Sequence, residues 1–191
     1  MNNKKNSIYP MVFVGMMAAI IYVATVYLRV EVPTPTGATN IKTANILILL
    51  GGMMFGGLYG GLAAGIGSML FDLTNPAYVA SAPFTFIFFF VMAFVCGKIA
   101  NAKGKNGLDT KQNIVAAVLG AGSYWLLYIG KSVITLVIQG SAFAPAVVAT
   151  VPKMITSGIN VVTAIIFSVL LAVPMNKALE RAGVFKKMDK R

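Results

Sequence analysis

Long apolar segments alternate with short polar ones along most of the chain. Six apolar segments are predicted to form helices, at about residues 9–28, 44–55, 58–73, 83–99, 114–138 and 152–173. Because about 20 apolar residues in a helix span the ~30 Å hydrocarbon core of a bilayer, the pattern predicts an all-α integral membrane protein with six transmembrane helices. The polar segments are too short to hold a further domain, so residues 1–191 are expected to form a single transmembrane domain.

The second and third segments are distinguished by their glycines, which occupy positions 51, 52, 56, 57, 60, 61, 65 and 67. Each interior glycine costs a water-soluble helix roughly 0.5–1 kcal/mol, whereas in lipid small residues form the surfaces on which helices pack. Gly57, Gly61 and Gly65 recur every four residues and share one helical face. The sequence therefore predicts a short, closely packed hairpin of helices 2 and 3. Helix 2 reaches only about 18 Å, so either its ends extend further or neighbouring helices shield it from lipid.

The chain carries 16 basic and 5 acidic residues and a formal net charge of +11. Twelve of the basic residues fall in three groups that flank apolar segments, within residues 4–5, 98–111 and 177–191. Basic residues collect on the cytoplasmic side of membrane proteins. Six crossings place all three groups there, together with both termini and a basic tail at about residues 177–191, whereas four crossings would put the middle group outside. A basic groove with interleaved aromatic residues is lacking, so nucleic-acid binding is not indicated.

Few residues are available for chemistry. The chain has no histidine, one cysteine (Cys96) and five acidic residues, of which only Asp72 lies within a predicted transmembrane segment. No pair of carboxylates is placed for acid–base catalysis, and no cluster of ligands suits a metal ion. The sequence therefore predicts that the protein is not an enzyme and holds no metal.

Polar and aromatic side chains concentrate instead at the predicted outer ends of the helices, the arrangement typical of a small-molecule site. The residues predicted to bind a ligand are Asn40, Asp72, Asn75, Tyr78, Phe84, Tyr124, Tyr128, Lys131, Lys153 and Asn160. The loop at residues 33–42, which contains two prolines and a glycine, is predicted to close over this site.

Three alternatives remain open for these residues. The tyrosines could be anchors at the membrane interface, and Lys131 and Lys153 could extend along the helices to reach water. Asp72 could pair with a lysine as a purely structural bridge.

Residues 39–99 resemble a known family. The resemblance rests on a polar Thr39-Asn40 loop before helix 2, a hairpin turn GGLYG, the segment LAAGIGSMLFDL with its Asp72, and the aromatic segment that leads to APFTF. These features resemble the S components of energy-coupling factor (ECF) transporters, in the riboflavin-transporter-like branch that includes pyridoxine and hydroxymethylpyrimidine carriers. Members of that family often carry an acidic residue where this chain has Thr43 and a lysine near the position of Phe89.

The resemblance implies a substrate-binding subunit of a vitamin importer in the prokaryotic plasma membrane. Its partners would be a transmembrane coupling protein (T component) and two cytoplasmic ATPases, which hydrolyse ATP, so the chain itself would need no cofactor. The absence of a GxxxxGK[ST] motif agrees with this. The small residues Gly15, Ala18 and Ala19 of helix 1 are implied to face the coupling subunit.

The sequence leaves the identity of the ligand open. A pyridoxine-like or pyrimidine-like compound suits the aromatic residues and the resemblance, whereas pantothenate or another anionic vitamin suits the lysines. Two other functions are also open, a small secondary transporter or channel that acts alone and a membrane scaffold that binds only protein.

Overall fold

A computed structural model describes residues 8–34 and 39–187. Within these residues the chain forms helices and a two-stranded ribbon, in the order α1 (Tyr9–Tyr27), β1 (Arg29–Val32), β2 (Thr39–Lys42), α2 (Ala44–Phe55), α3 (Gly57–Thr74), α4 (Ala82–Ala100), α5 (Thr110–Ile138), α6 (Phe143–Arg181) and α7 (Val184–Lys187). Short 3₁₀ turns at Val79–Ser81 and Ala102–Gly104 lie on either side of α4. The predicted helices are all present.

The largest differences from the predicted boundaries concern α5 and α6. The helix α5 begins at Thr110, four residues before the predicted start, because the carboxylate of Asp109 accepts hydrogen bonds from the backbone N–H groups of Lys111 and Gln112. The helix α6 was predicted to cover residues 152–173 but continues through both Pro152 and Pro174. A proline removes one backbone donor without ending a membrane helix whose other groups remain bonded within the segment.

Four helical segments are long and apolar enough to cross a membrane: Tyr9–Tyr27, Val79–Ala100, Thr110–Ile138 and Phe143–Arg181. Their outward faces carry large exposed apolar side chains, such as Met11, Ile134 and Leu170. Exposed apolar surface on this scale suits a lipid environment. The fold is that of a helical membrane protein.

The helix α2 is apolar but only 12 residues long, and ten of those residues are buried. It packs against α3, α4 and α6, so neighbouring helices enclose it. Two of its contacts are so close that no side chain fits: a Cβ atom on Gly52 would lie 2.5 Å from the carbonyl oxygen of Ala93, and one on Gly60 of α3 would lie 2.6 Å from the Cα of Gly52. The glycine pattern thus corresponds to direct backbone contact between α2, α3 and α4.

The chain after α1 forms a short two-stranded ribbon that the sequence analysis does not predict. Strands β1 and β2 pair antiparallel, with Val30 opposite Ile41 and Glu31 opposite Asn40. Alternating polar and β-branched residues in both segments favour this pairing. The tip of the predicted lid (residues 35–38), the N-terminal basic pair and the end of the basic tail (residues 188–191) lie outside the described residues.

Candidate functional site

A cavity of about 290 Å³ lies beside β2, between the end of α3, the start of α4 and the last turns of α5. Eight of the ten predicted binding residues line it: Asn40, Asp72, Tyr78, Phe84, Tyr124, Tyr128, Lys131 and Lys153. These residues come from β2, from four helices and from the loop after α3. The tertiary structure therefore brings most of the predicted set into one site.

One wall of the cavity is a stack of aromatic rings. The ring centroids of Phe89 and Tyr124 are 4.6 Å apart, and those of Tyr124 and Tyr128 are 5.8 Å apart, with both pairs nearly parallel. Tyr124 lines the cavity but is only 5% exposed and stacks with both neighbouring rings, so little of its own ring is open to a ligand. Tyr128, at the end of the stack, presents the more accessible ring, and its hydroxyl oxygen lies 3.2 Å from that of Thr39 in β2.

Three lysines line the cavity. The Lys42 ammonium lies 4.4 Å from the centre of the Phe89 ring. The Lys131 ammonium donates a hydrogen bond of 3.1 Å to the Ser81 hydroxyl and lies 5.4 Å from the Phe84 ring. Lys153 contributes from α6. The alternative in which Lys131 and Lys153 extend away from the site along their helices is not the arrangement that the structure shows.

Asp72 is the carboxylate of the cavity lining and is 7% exposed. The Thr85 hydroxyl donates a hydrogen bond to it. Within the described part of the chain, no lysine lies within ion-pair distance of Asp72; the ion pairs there are Arg29–Glu31, at 3.3 Å, and Lys105–Asp109. A structural bridge between Asp72 and a lysine is therefore not seen in this structure.

Asn160 does not line the cavity but holds the strand that does. Its side-chain oxygen accepts a hydrogen bond of 2.9 Å from the Lys42 backbone N–H, and its amide nitrogen donates one of 2.6 Å to the Asn40 carbonyl. In a parallel sheet, the backbone of one residue makes the same two bonds to residues i and i+2 of the neighbouring strand, here Asn40 and Lys42. The Asn160 side chain thus takes the place of a third strand and attaches β2 to α6.

The Asn40 side chain attaches β2 to two further elements. Its oxygen accepts a hydrogen bond of 3.1 Å from Arg29 in β1, and its nitrogen donates one of 3.1 Å to the Tyr78 hydroxyl in the loop after α3. Asn75 lies outside the cavity lining and shapes that same loop, because its side-chain oxygen accepts a hydrogen bond of 3.1 Å from the Ala77 backbone. Asn75 and Asn160 therefore position the wall of the site and do not line it.

The cavity also contains residues outside the predicted set: Thr39, Lys42, Phe71, Ala77, Ser81, Thr85, Phe88, Phe89, Ser132, Thr135, Leu136 and Gln139. Most of the polar residues among them lie in the loops and helix ends where the sequence analysis expects the ligand site. The phenylalanines of α4 carry no such signal, because an apolar residue in a membrane helix can face lipid, the protein core or a ligand.

The pKa of Lys42 reflects this environment. Burial lowers it from 10.5 to about 8, although the nearby Asp72 carboxylate opposes that shift and Arg29 adds to it. Burial therefore makes the charged form of Lys42 less favourable than it is in water.

The predicted contact face on α1 divides into two parts. Gly15 and Ala19 are exposed, and a Cβ atom on Gly15 would have no neighbour within 4 Å. Ala18 is only 4% exposed, and a Cβ atom on Gly67 of α3 would lie 2.5 Å from its carbonyl oxygen. Ala18 therefore packs inside the molecule, since it lies about 100° around the helix from Ala19, and it is not part of an outer face.

A family model described as "ECF-type riboflavin transporter, S component" matches residues 5–179, nearly the whole chain. No curated protein matches the sequence.

Proposed function

The chain belongs to the family of S components of ECF-type riboflavin transporters, and from this premise we propose that it is the substrate-binding subunit of an ATP-driven vitamin importer. The family consists of transporter components and not of enzymes. The observation that supports the proposal most directly is the cavity beside β2, because it combines an aromatic wall with charged and hydroxyl groups under a strand that other elements hold in place.

We further propose six crossings in the prokaryotic plasma membrane, with both termini in the cytoplasm and residues 1–191 as one transmembrane domain. The basic residues support this orientation. The end of α4 and the start of α5 are joined by a short basic connection, and the end of α6 lies beside it, since Asn176 donates a hydrogen bond of 3.4 Å to the Gly107 carbonyl. The cavity lies toward the opposite ends of these helices, and so toward the outside.

The proposed ligand is a small vitamin or vitamin precursor. A volume of about 290 Å³ lies at the lower limit of the ~300–1,000 Å³ range of small-molecule sites. A compound with one ring, pyridoxine-like or pyrimidine-like, suits this volume better than the three-ring system of riboflavin. Pantothenate or another anionic vitamin is the alternative that the lysines favour.

Delivery across the membrane requires partners in this proposal. A T component would contact the exposed small residues Gly15 and Ala19 on α1, where a helix can approach closely, and two ATPase subunits would hydrolyse the ATP. The chain itself would use no cofactor. The loop at residues 33–42, which includes β2, would close the site before delivery.

Uptake into proteoliposomes tests this proposal against its main competitor. Vesicles that contain the chain with a T component and two ATPases should accumulate the vitamin only when ATP is supplied, and the chain should co-purify with those subunits. Uptake by the chain alone without ATP would favour a stand-alone secondary transporter. Native mass spectrometry of the gently purified protein should identify a retained ligand.

A paired substitution tests the contact face. Replacing Gly15 and Ala19 by leucine should abolish ATP-driven uptake and leave ligand affinity nearly unchanged. Gly158→Leu on α6, where a Cβ atom likewise has no neighbour within 4 Å, serves as the control and should retain uptake. A parallel loss of affinity in the double variant would show that the two residues serve internal packing.

A further inference from the structure

We propose that the ligand carries an anionic group, a carboxylate or a phosphate, and that Lys131 and Lys153 bind this group at the outer end of the cavity. The inference deepens the proposed function and rests on it, because it assigns a chemical class to the ligand of the same site.

The distribution of basic residues is the first argument. Twelve of the sixteen fall in the three basic groups at the chain ends and between α4 and α5; the other four are Arg29, Lys42, Lys131 and Lys153. Arg29 pairs with Glu31 in the ribbon. The three lysines all line the cavity. Since basic residues are depleted on the outer side of membrane proteins, three lysines in one outward cavity require a local reason.

The charge balance of the cavity supplies that reason. Its described lining contains three lysines and one carboxylate, Asp72, which leaves an excess of positive charge when all four groups are ionised. Positive charges that share a partly buried space repel one another and lose hydration. An anionic ligand removes both penalties, whereas a neutral ligand leaves the repulsion in place and excludes more water.

The position of Lys131 places the anion at the outer end. Its ammonium contacts Ser81 and lies near Phe84, at the outer start of α4. An ammonium has three donors, and Ser81 accepts one of them, so two remain for an anion. The Ser81 hydroxyl, which accepts from Lys131, still has its own proton to donate. Lys153 lines the same cavity from α6.

The ring of the ligand would lie deeper. Phe89 is five residues beyond Phe84 along α4, or about 7 Å further into the membrane. At that depth Lys42 lies over the Phe89 ring. The Asp72 carboxylate accepts from Thr85, the residue after Phe84, so it lies nearer the outer end, where it offers an acceptor to an N–H or O–H group of the ligand. The two ends of the cavity therefore differ in chemistry: Lys131 and Ser81 lie at the outer end, and the stacked rings of Phe89 and Tyr124 lie at the inner end. A flat ring with an anionic substituent matches both.

Matched ligand pairs test the inference on the full-length protein in detergent. Each pair differs in charge at one substituent: pyridoxine 5′-phosphate and pyridoxine, flavin mononucleotide and riboflavin, nicotinate and nicotinamide, pantothenate and pantothenol. Isothermal titration calorimetry identifies the pair that binds most tightly. Within that pair, the charged member should bind with at least tenfold higher affinity than the neutral member. That preference should fall tenfold or more in Lys131→Gln and in Lys153→Gln.

Two variants separate loss of the subsite from loss of the fold. Lys131→Arg keeps the charge and should retain most of the preference. Lys98→Gln is the matched control. The Lys98 ammonium lies 5.4 Å from the centre of the Phe94 ring, the same distance as that between Lys131 and the Phe84 ring, but Phe94 is at the opposite end of α4 from Phe84. This variant should leave the preference unchanged.

The possible outcomes distinguish the two proposals. Equal or tighter binding of the neutral members, with no effect of Lys131→Gln, would overturn the anionic subsite and leave vitamin binding intact. Binding of no member of any pair would count against vitamin binding itself, and with it against this inference. If Lys98→Gln weakens the charge preference as much as Lys131→Gln does, the preference comes from the overall charge of the protein, and the subsite is rejected.

Discussion

The two ends of the helix bundle are built in opposite ways. At the end that we propose faces the cytoplasm, called here the inner end, α2, α3 and α4 meet through glycines, and a Cβ atom on Gly97 would lie 2.5 Å from the backbone nitrogen of Gly57 and 2.6 Å from the carbonyl oxygen of Gly52. At the opposite end, called here the outer end, the same bundle encloses a cavity of about 290 Å³, and polar side chains such as Asn160 and Asn40 hold the ribbon at its side.

This difference gives the two ends different roles, since the glycine-packed end is rigid and the cavity end holds the ligand site. Backbone contact at the inner end leaves no space for side-chain rearrangement, so the hairpin and α4 form a fixed base. At the outer end, a few side-chain hydrogen bonds attach β2, and each contributes only about 0.5–1.5 kcal/mol net. Substitutions at the inner end should therefore change stability, and substitutions at the outer end should change ligand affinity and exchange. Four experiments, in order of decreasing effect, test this division.

The largest effect is expected for Gly97→Ala. The added methyl group would overlap backbone atoms of the hairpin, which cannot move as a flexible side chain could. Overpacking of this kind costs about 1–3 kcal/mol or more, so the thermal unfolding midpoint in detergent should fall markedly. Gly122→Ala on α5 is the control, because its Cβ atom would have no neighbour within 4 Å. Equal shifts in both variants would contradict the proposed division between the two ends.

The next effect is expected for Asn160→Ala, which removes both hydrogen bonds that attach β2 to α6. Two such bonds contribute about 1–3 kcal/mol, so ligand release in a stopped-flow experiment should accelerate by about tenfold or more.

Asn160→Asp refines this experiment, because aspartate keeps the acceptor for the Lys42 N–H but cannot donate to the Asn40 carbonyl. Its release rate should lie between those of the wild type and the alanine variant. Unchanged release in the alanine variant, together with a lowered unfolding temperature, would show that Asn160 only stabilises the bundle.

The third experiment uses the lowered pKa of Lys42, about 8 in the free protein. Below this pH the ammonium is charged and can donate to a ligand, and above it the charge is lost. A ligand that accepts from Lys42 should therefore bind with constant affinity below pH 8 and more weakly as the pH rises, by up to about tenfold per pH unit. Fluorescence titrations between pH 6 and 10, with a ligand whose own ionisation is constant there, measure this.

Lys42→Arg supplies the control for the pH experiment, since an arginine stays charged throughout this range. It should abolish the decline in affinity. A decline that persists in this variant would have to come from another group.

The smallest effect is expected for Tyr128→Phe. It keeps the ring but removes the hydroxyl contact with Thr39, and one hydrogen bond of about 0.5–1.5 kcal/mol corresponds to a loss of affinity of about two- to tenfold. Tyr128→Ala also removes the ring and should lower affinity by an order of magnitude or more. Equal affinities for the phenylalanine and alanine variants, measured by calorimetry, would show that the ring does not contact the ligand.

Much of this architecture is predictable from the sequence. Apolar segments of the right length indicate the helices, and the bounds of α2 agree with the prediction at both ends. The glycines of the hairpin indicate close packing, and eight of the ten predicted ligand residues line one cavity. These predictions succeed because they depend on how deep a residue lies in the membrane, and hydropathy reports depth directly.

Only the tertiary structure decides which way each residue faces. In a soluble helix, a polar face and an apolar face reveal the rotation about the helix axis. In a membrane helix both the lipid and the protein core are apolar, so this contrast is lost. Ala18 and Ala19 look alike in sequence, yet Ala18 packs on α3 and Ala19 is exposed. In the same way, the cavity-lining Phe88 and Phe89 cannot be told from Phe86, which packs on Gly65. The depth of a residue in the membrane is determined by the composition along the chain. The rotation of a helix about its own axis is determined by the packing between helices.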